Sequence, residues 1–114
     1  MIFELNDDNL FNAVKLCWTV HNYRVLIYVD HSDKSKTIER IGNIRPQPKP
    51  LYTTTSKVSF PNGSTITLLS ASSTARYLRG NLILYTPELY TEELYELLRA
   101  RIRLYGYWSE EQNG

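Results

Sequence analysis

The sequence predicts an α/β fold: a small, mostly parallel sheet flanked by helices, with an inserted antiparallel hairpin. Two short runs, residues 25–29 and 82–85, are apolar at every position, which is typical of strands covered on both faces. Segments with apolar residues at helical spacing alternate with them, and strands that alternate with helices favour parallel pairing. Pro61-Asn62-Gly63 lies between two segments of alternating polarity and predicts the hairpin.

The first half of the chain predicts a strand and two helices around the run at residues 25–29. Residues 1–5 favour a short strand, and the next four, Asn6 to Asn9, all favour the N-cap of a helix. A helix of about four turns is predicted from the apolar stripe Leu10, Val14, Cys17, Trp18 and His21. A shorter helix is predicted over residues 34–44, with Ser32 or Asp33 as its cap.

The second half begins with a connector in which Pro46, Pro48 and Pro50 favour an extended chain. Thr86 is the predicted N-cap of a terminal helix with Pro87 as its first residue, and Thr91 offers a second start one turn later. The helix is predicted from the stripe Leu94, Leu97, Leu98, Ile102 and Tyr105, and Gly106 ends it. We therefore predict one domain, residues 1–106, and a polar tail, residues 107–114.

Length and composition favour an ordinary globular protein. The chain has 114 residues, 42% hydrophobic and 22% charged, and contains no apolar run of the roughly 18 residues that a bilayer span needs. We expect a cytoplasmic location, in the host cytoplasm if the protein is viral, and no membrane partner. Cys17 is the only cysteine, and His21 and His31 follow no zinc spacing, so neither a metal nor a cofactor is expected.

Charge is distributed unevenly along the chain. Residues 34–79 contain eight Lys or Arg residues against Glu39 alone, a net charge of +7, and the segments on either side each carry −3. Twelve Ser or Thr residues lie between Thr53 and Thr74. Cations and hydroxyls on the exposed side of a hairpin suit phosphate contacts, and Tyr52 and Tyr77 suit stacking on bases. The predicted nucleic-acid contacts are Lys34, Lys36, Arg45, Lys49, Lys57, Arg76 and Arg79; the alternative is an ordinary solvated surface.

Three short strings share a pattern with a known family. They are residues 24–29 followed by a polar loop and a basic helix, residues 58–66 with Asn-Gly-Ser between two strands, and residues 75–80 with Leu-Arg-Gly. Together they resemble the ATPase core of phage large terminase subunits and of helicase-like proteins, over roughly residues 10–100. The resemblance implies a P-loop NTPase-like fold and a viral or mobile-element origin.

The chain departs from that family where nucleotide binds. A glycine-rich loop with a lysine is expected between the first strand and the first helix, but Asn6 to Asn9 contains neither and brings the negative charges of Asp7 and Asp8. Pro87 stands directly before Glu88, where the family has a magnesium-binding aspartate. The resemblance therefore implies a degenerate domain without the phosphate-binding loop, and we expect no ATP hydrolysis.

Three functional hypotheses follow. The first is a non-catalytic accessory or inhibitory protein that binds nucleic acid or a protein partner through the basic, Ser/Thr-rich middle segment. The second is a metal-dependent nuclease using Asp30 and Glu88, which both follow apolar strands, although each can equally stabilise the start of a helix. The third is a protein-interaction module or homodimer that uses the aromatic residues Tyr105, Tyr107 and Trp108.

Overall fold

The computed structural model describes residues 1–47, 49–71 and 78–102. Two short 3₁₀ turns, His31–Asp33 and Pro87–Leu89, precede the second and third helices. The strands and α-helices of the described chain are, in order, β1 (Ile2–Glu4), α1 (Asp7–Thr19), β2 (Arg24–Tyr28), α2 (Lys34–Gly42), β3 (Tyr52–Thr53), β4 (Lys57–Ser59), β5 (Thr65–Leu69), β6 (Leu82–Tyr85) and α3 (Glu92–Arg99).

A single sheet with the strand order β1-β6-β2-β5-β4-β3 forms the centre of the fold. β1, β6, β2 and β5 pair in parallel, whereas β4 and β3 continue the sheet in antiparallel pairing. The α/β class and the antiparallel hairpin are confirmed, and the predicted parallel pairing holds for four strands. The hairpin is not an insertion beside the sheet, because its second strand, β5, also pairs with β2 and so joins the two parts.

Helices cover both faces of the sheet. α1 and α2 cover one face, in a hydrophobic cluster that includes Leu10, Val14, Cys17, Ile41, Val25, Ile27 and Leu84. α3 covers the other face, in a smaller cluster that includes Leu26, Ile83, Leu94 and Leu98. Successive side chains of a strand point to opposite faces, so alternate residues of β2 and β6 enter different clusters. This is why both strands are apolar at nearly every position.

The first helix begins as predicted. Asn6 is its N-cap, and the Asn6 side chain accepts a hydrogen bond from the backbone N–H of Asn9 at 2.8 Å. The acidic residues Asp7 and Asp8 form its first turn, where the helix dipole favours negative charge. The predicted stripe extends too far, however, because α1 ends at Thr19 and His21 lies beyond it, exposed to solvent.

The predicted start of the terminal helix at Thr86 is wrong. Only a 3₁₀ turn follows Thr86, and its hydroxyl donates a hydrogen bond to the Tyr28 carbonyl at 3.0 Å instead of capping that turn. The α-helix begins one turn later, at the second predicted start, where the Thr91 side chain accepts a hydrogen bond from the Leu94 N–H at 2.9 Å. Leu97 was placed on the apolar stripe but is 50% exposed.

The hairpin turn is bound to the end of α1. The Asn62 side-chain amide donates hydrogen bonds to the carbonyls of Cys17, at 2.9 Å, and Val20, at 3.3 Å. The buried Ser64 hydroxyl donates to the same Val20 carbonyl at 2.7 Å and accepts from the Tyr23 N–H at 3.0 Å. Gly63, between them, has a φ of +89°, which favours glycine. We call Asn62 and Ser64 the hairpin clamp.

The predicted absence of a membrane span and the predicted C-terminal tail can be compared with the described residues only. No helix within the described residues is long and apolar enough to span a bilayer. The predicted helix end at Gly106 and the tail, residues 107–114, lie outside the described residues.

Candidate functional site

The carboxyl ends of the four parallel strands meet at one edge of the sheet. After β2 the chain continues to α2 on one face, and after β6 it continues to α3 on the other. Open α/β sheets bind ligands at such a divergence point. A cleft of about 310 Å³ lies there, lined by Leu5, Val29, Asp33, Lys36, Thr37, Arg40, Thr86, Pro87 and Glu88.

Charges of both signs line this cleft. Lys36 and Arg40 come from successive turns of α2, and Asp33 and Glu88 come from the two 3₁₀ turns. Arg40 also donates a hydrogen bond to the Asp7 carboxylate at 3.0 Å. The cleft therefore combines two cations with an equal number of anions, so it lacks the excess positive charge that attracts a phosphate group.

The connection between β1 and α1 consists of two residues, Leu5 and Asn6. In P-loop proteins, which the sequence resembles, the phosphate-binding loop lies at this position. The α1 N–H groups that such a loop would direct at phosphate are instead capped by Asn6 and followed by two carboxylates. The absence of ATP hydrolysis stays a prediction.

Asp30 and Glu88, the residues of the nuclease hypothesis, line different clefts. Asp30 belongs to a neighbouring cleft of about 200 Å³, together with residues such as His31 and Ser70. The Asp30 carboxylate accepts hydrogen bonds from the Ser32 hydroxyl, at 2.5 Å, and from the Ser32 N–H, at 3.1 Å, and these bonds lower the pKa of Asp30. It caps the 3₁₀ turn. In the part of the chain that the structure describes, no group of three or more His, Cys, Asp or Glu side chains could hold a metal ion.

The predicted nucleic-acid contacts divide between two sides of the molecule. Lys34 and Lys36 are on α2, and the Arg45 guanidinium binds the carbonyls of Gly42 and Ile44 at the end of that helix. Lys49 is exposed in the connector that follows. Lys57 lies on β4, and Arg79 precedes β6. Arg76 lies outside the described residues.

Lys57 belongs to a polar row on the side of the sheet opposite α2. Paired residues on neighbouring strands share a face, and the register aligns Tyr52 of β3, Ser59 of β4, Thr65 of β5 and Arg24 of β2. Lys57 and Thr67 form the next pair on the same face. We call these six residues the hairpin face. At about 4.8 Å per strand, the row from Tyr52 to Arg24 spans about 14 Å.

Tyr52 is the aromatic residue of the hairpin face, and its ring is exposed. It is 49% exposed, and a hydrogen bond from Ser59 together with the charge of Lys57 lowers the pKa of its phenol. Thr65 and Thr67 are half-buried. The hydroxyl groups that were expected to face solvent are only partly available, because Ser59, Ser64 and Ser70 are buried.

Arg24 is the residue of this face that sequence reasoning missed. It lies in the acidic first third of the chain, so a charge count by segment assigns it to the wrong side. The signal that finds it is the parallel pairing of β2 with β5, which aligns Arg24 with Thr65. Arg79 lies close to the same end of β2, because it is two residues before Asn81, which is bonded to Arg24. The Asn81 N–H donates a hydrogen bond to the Arg24 carbonyl at 2.8 Å, and the Asn81 side chain accepts one from the Arg24 N–H at 2.9 Å.

Cys17 is fully buried, and burial raises the pKa of its thiol to about 12. Only about one thiol in 10⁴ is then ionised at pH 8, against about one in four for a free cysteine. We expect native protein to react with a thiol reagent such as iodoacetamide at least about 100-fold more slowly than protein in 6 M guanidinium chloride, measured by mass spectrometry. Equal rates in the two states would show that Cys17 is accessible.

Compared with protein-family models, with curated proteins and with solved structures, the chain shows no match to any of them. The resemblance to P-loop NTPase-like domains therefore stays a prediction based on three short strings. The predicted interface residues Tyr105, Tyr107 and Trp108, like Tyr77, lie outside the described residues.

Proposed function

We propose that the protein is a non-catalytic accessory or inhibitory protein, of viral or mobile-element origin, that binds single-stranded nucleic acid through the hairpin face. The observation that supports this proposal best is the exposed ring of Tyr52 beside Lys57 on the hairpin face. Aromatic rings on a sheet stack on bases of any sequence, and neighbouring cations hold the phosphates.

The described residues of the hairpin face include two cations and no anion. Lys57 and Arg24 belong to the hairpin face, whose other four residues are uncharged. Arg79 lies two residues before Asn81, which bonds to the Arg24 backbone. The acidic residues of α3 belong to the helix that covers β2 and β6 on the same side. We infer that a strand of nucleic acid crosses β3, β4 and β5 at the end of the sheet that α3 leaves open.

Binding is proposed in place of nuclease activity because the contacts of the two clefts do not favour a catalytic pair. The charges of the larger cleft are balanced, and Asp30 is committed to capping a 3₁₀ turn in a cleft separate from that of Glu88. A contact surface without a catalytic group binds its partner and releases it unchanged.

Fluorescence anisotropy with a labelled 20-nucleotide oligo(dT) or oligo(U) in 50 mM salt tests the proposal. We expect binding by the wild type and a loss of about tenfold in affinity for Tyr52→Ala, because base stacking contributes about 1–3 kcal/mol per base. Lys57→Gln is expected to weaken binding and to reduce the slope of log affinity against log salt by about 0.7, as expected for one lost phosphate contact on a single strand.

The double variant Lys34→Gln/Lys36→Gln is the matched control, because it removes more positive charge from the opposite side of the sheet. We expect it to retain nearly wild-type affinity. Absence of binding by the wild type at low salt would overturn the proposed function. A larger loss of affinity in this control than in Lys57→Gln would show that nucleic acid contacts α2 and not the hairpin face.

A further inference from the structure

Three tyrosines form a connected cluster on the face of the sheet that α3 covers. Tyr85 ends β6, Tyr90 follows the second 3₁₀ turn, and Tyr95 lies in α3. The ring centroids of Tyr85 and Tyr90 are 5.6 Å apart with an interplanar angle of 43°, and those of Tyr90 and Tyr95 are 6.3 Å apart at 54°. We call these residues the tyrosine cluster. Tyr90, its central member, is 47% exposed.

A carboxylate lies beside this cluster. Glu4 of β1 is paired with Tyr85 in the parallel register, so their side chains emerge on the same face of the sheet, and Glu4 is exposed. Burial raises the pKa of the Tyr85 phenol, and the nearby Glu4, Tyr90 and Tyr95 raise it further. Of these causes, only the Glu4 carboxylate carries a charge near neutral pH, so Glu4 is the group beside Tyr85 that would attract a cation.

Among the described residues, further charged groups close to the cluster in sequence are Glu88, two residues before Tyr90, and those of α3. Glu92 lies three residues before Tyr95 and adds negative charge, whereas Arg99 lies four residues after it. Arg99 is within 3.5 Å of the Glu96 carboxylate, which offsets its charge. Among these described side chains the carboxylates outnumber the cations, which favours a positively charged ligand.

We propose that the tyrosine cluster and Glu4 bind an arginine side chain of a partner protein. A guanidinium is planar, stacks on tyrosine rings and forms paired hydrogen bonds to a carboxylate, whereas an ammonium group offers only a point charge. The exposed Tyr90 ring supplies the stacking surface, and the exposed Glu4 carboxylate supplies the acceptor. The charge of this surface is opposite to that of the hairpin face, so the two surfaces take different ligands and this proposal does not rest on nucleic-acid binding.

Labelled peptides of alternating glycine and arginine, glycine and lysine, or glycine and citrulline test the proposal by fluorescence anisotropy with the full chain. Citrulline keeps the shape of arginine and removes its charge. We expect the arginine peptide to bind best, the lysine peptide at least about threefold more weakly, and the citrulline peptide not at all. Tyr90→Ala and Glu4→Gln are each expected to weaken arginine-peptide binding about fivefold, and Tyr90→Phe, which keeps the ring, by less than twofold.

Tyr52→Ala and Glu39→Gln are the matched controls, since the first removes an exposed tyrosine ring and the second the charge of an exposed carboxylate from another surface. We expect both to bind the arginine peptide like the wild type. Binding of the citrulline or the lysine peptide as tight as that of the arginine peptide would overturn the proposal. So would wild-type affinity in both Tyr90→Ala and Glu4→Gln, or no binding of the arginine peptide at millimolar concentration.

Discussion

Replacing Gly80 with alanine is expected to lower the free energy of unfolding by about 1–3 kcal/mol, the usual cost of overpacking a core. A Cβ at this position would lie 2.9 Å from Leu26 Cγ and 3.3 Å from Leu26 Cδ1. Leu26 is 2% exposed, so its branch point has no space into which to move. The Gly80 backbone is also fixed, because its N–H donates to the Arg101 carbonyl at 2.8 Å. Urea unfolding followed by circular dichroism measures the effect.

Gly42→Ala is the matched control for this prediction. Nothing lies within 4 Å of a Cβ added at Gly42, which is the last residue of α2. Alanine is the better helix former by about 1 kcal/mol in a helix interior and by less at an end, so we expect unchanged or slightly raised stability. If both variants lose the same stability, steric contact with Leu26 is not the reason that position 80 is glycine.

A second variant isolates the contact itself. Leu26→Ala alone is expected to cost about 2–5 kcal/mol, since it leaves a cavity in the core. It also removes the Cγ and Cδ1 atoms that a Cβ at position 80 would meet, and the Leu82 carbonyl oxygen at 3.3 Å remains. Gly80→Ala should therefore cost clearly less in that background than in the wild type. Additive losses in the double variant would contradict the steric account.

Local patterns predicted the elements whose signals do not depend on the rest of the chain. The apolar strands β2 and β6, the Asn6 cap of α1 and the hairpin around Asn62-Gly63 all follow from short-range rules. Short-range rules do not determine the start of α3, because Thr86-Pro87 and Thr91 both satisfy the rules for a helix start. The contact that decides between them is the bond from the Thr86 hydroxyl to Tyr28, 58 residues earlier in the chain.

The candidate site was less predictable than the fold. The sequence showed that positive charge is concentrated in residues 34–79, but a charge count does not state on which face a residue lies. The structure separates Lys36 from Lys57 by the thickness of the sheet and adds Arg24 from a distant segment. The strand order of the sheet determines which charged residues lie on the same face. Strand order depends on pairing between distant segments, which a local sequence pattern does not predict.

The Asn-Gly-Ser string shows how a motif can have a structural cause. The string resembles a nucleotide-hydrolase pattern, and in the structure its Asn62 and Ser64 side chains donate hydrogen bonds to the carbonyls at the end of α1. A helix end leaves carbonyls without intrahelical partners, and the hairpin clamp supplies donors for two of them. The clamp therefore joins α1, the start of β2 and the hairpin.

Replacing Ser64 with alanine is accordingly expected to lower the free energy of unfolding by about 1–3 kcal/mol, the cost of leaving a buried polar group without a partner. Ser64 is 0% exposed, and its hydroxyl is the acceptor for the N–H of Tyr23, itself 7% exposed. The Val20 carbonyl is less affected, because Asn62 still donates to it at 3.3 Å. Chemical denaturation measures the loss, with the exposed Ser35→Ala as a control expected to change stability by less than about 0.5 kcal/mol.

Hydrogen exchange at the Tyr23 amide distinguishes the clamp from a general loss of packing. In Ser64→Ala this N–H has no acceptor, so we expect its exchange to accelerate more than the change in global stability accounts for. The Val25 amide, within the paired strand β2, should follow global stability alone. Asn62→Ala should instead leave Tyr23 protected, because its bonds go to Cys17 and Val20. Equal acceleration at Tyr23 in both variants would mean that the clamp acts as one unit and that Ser64 holds no separate bond to β2.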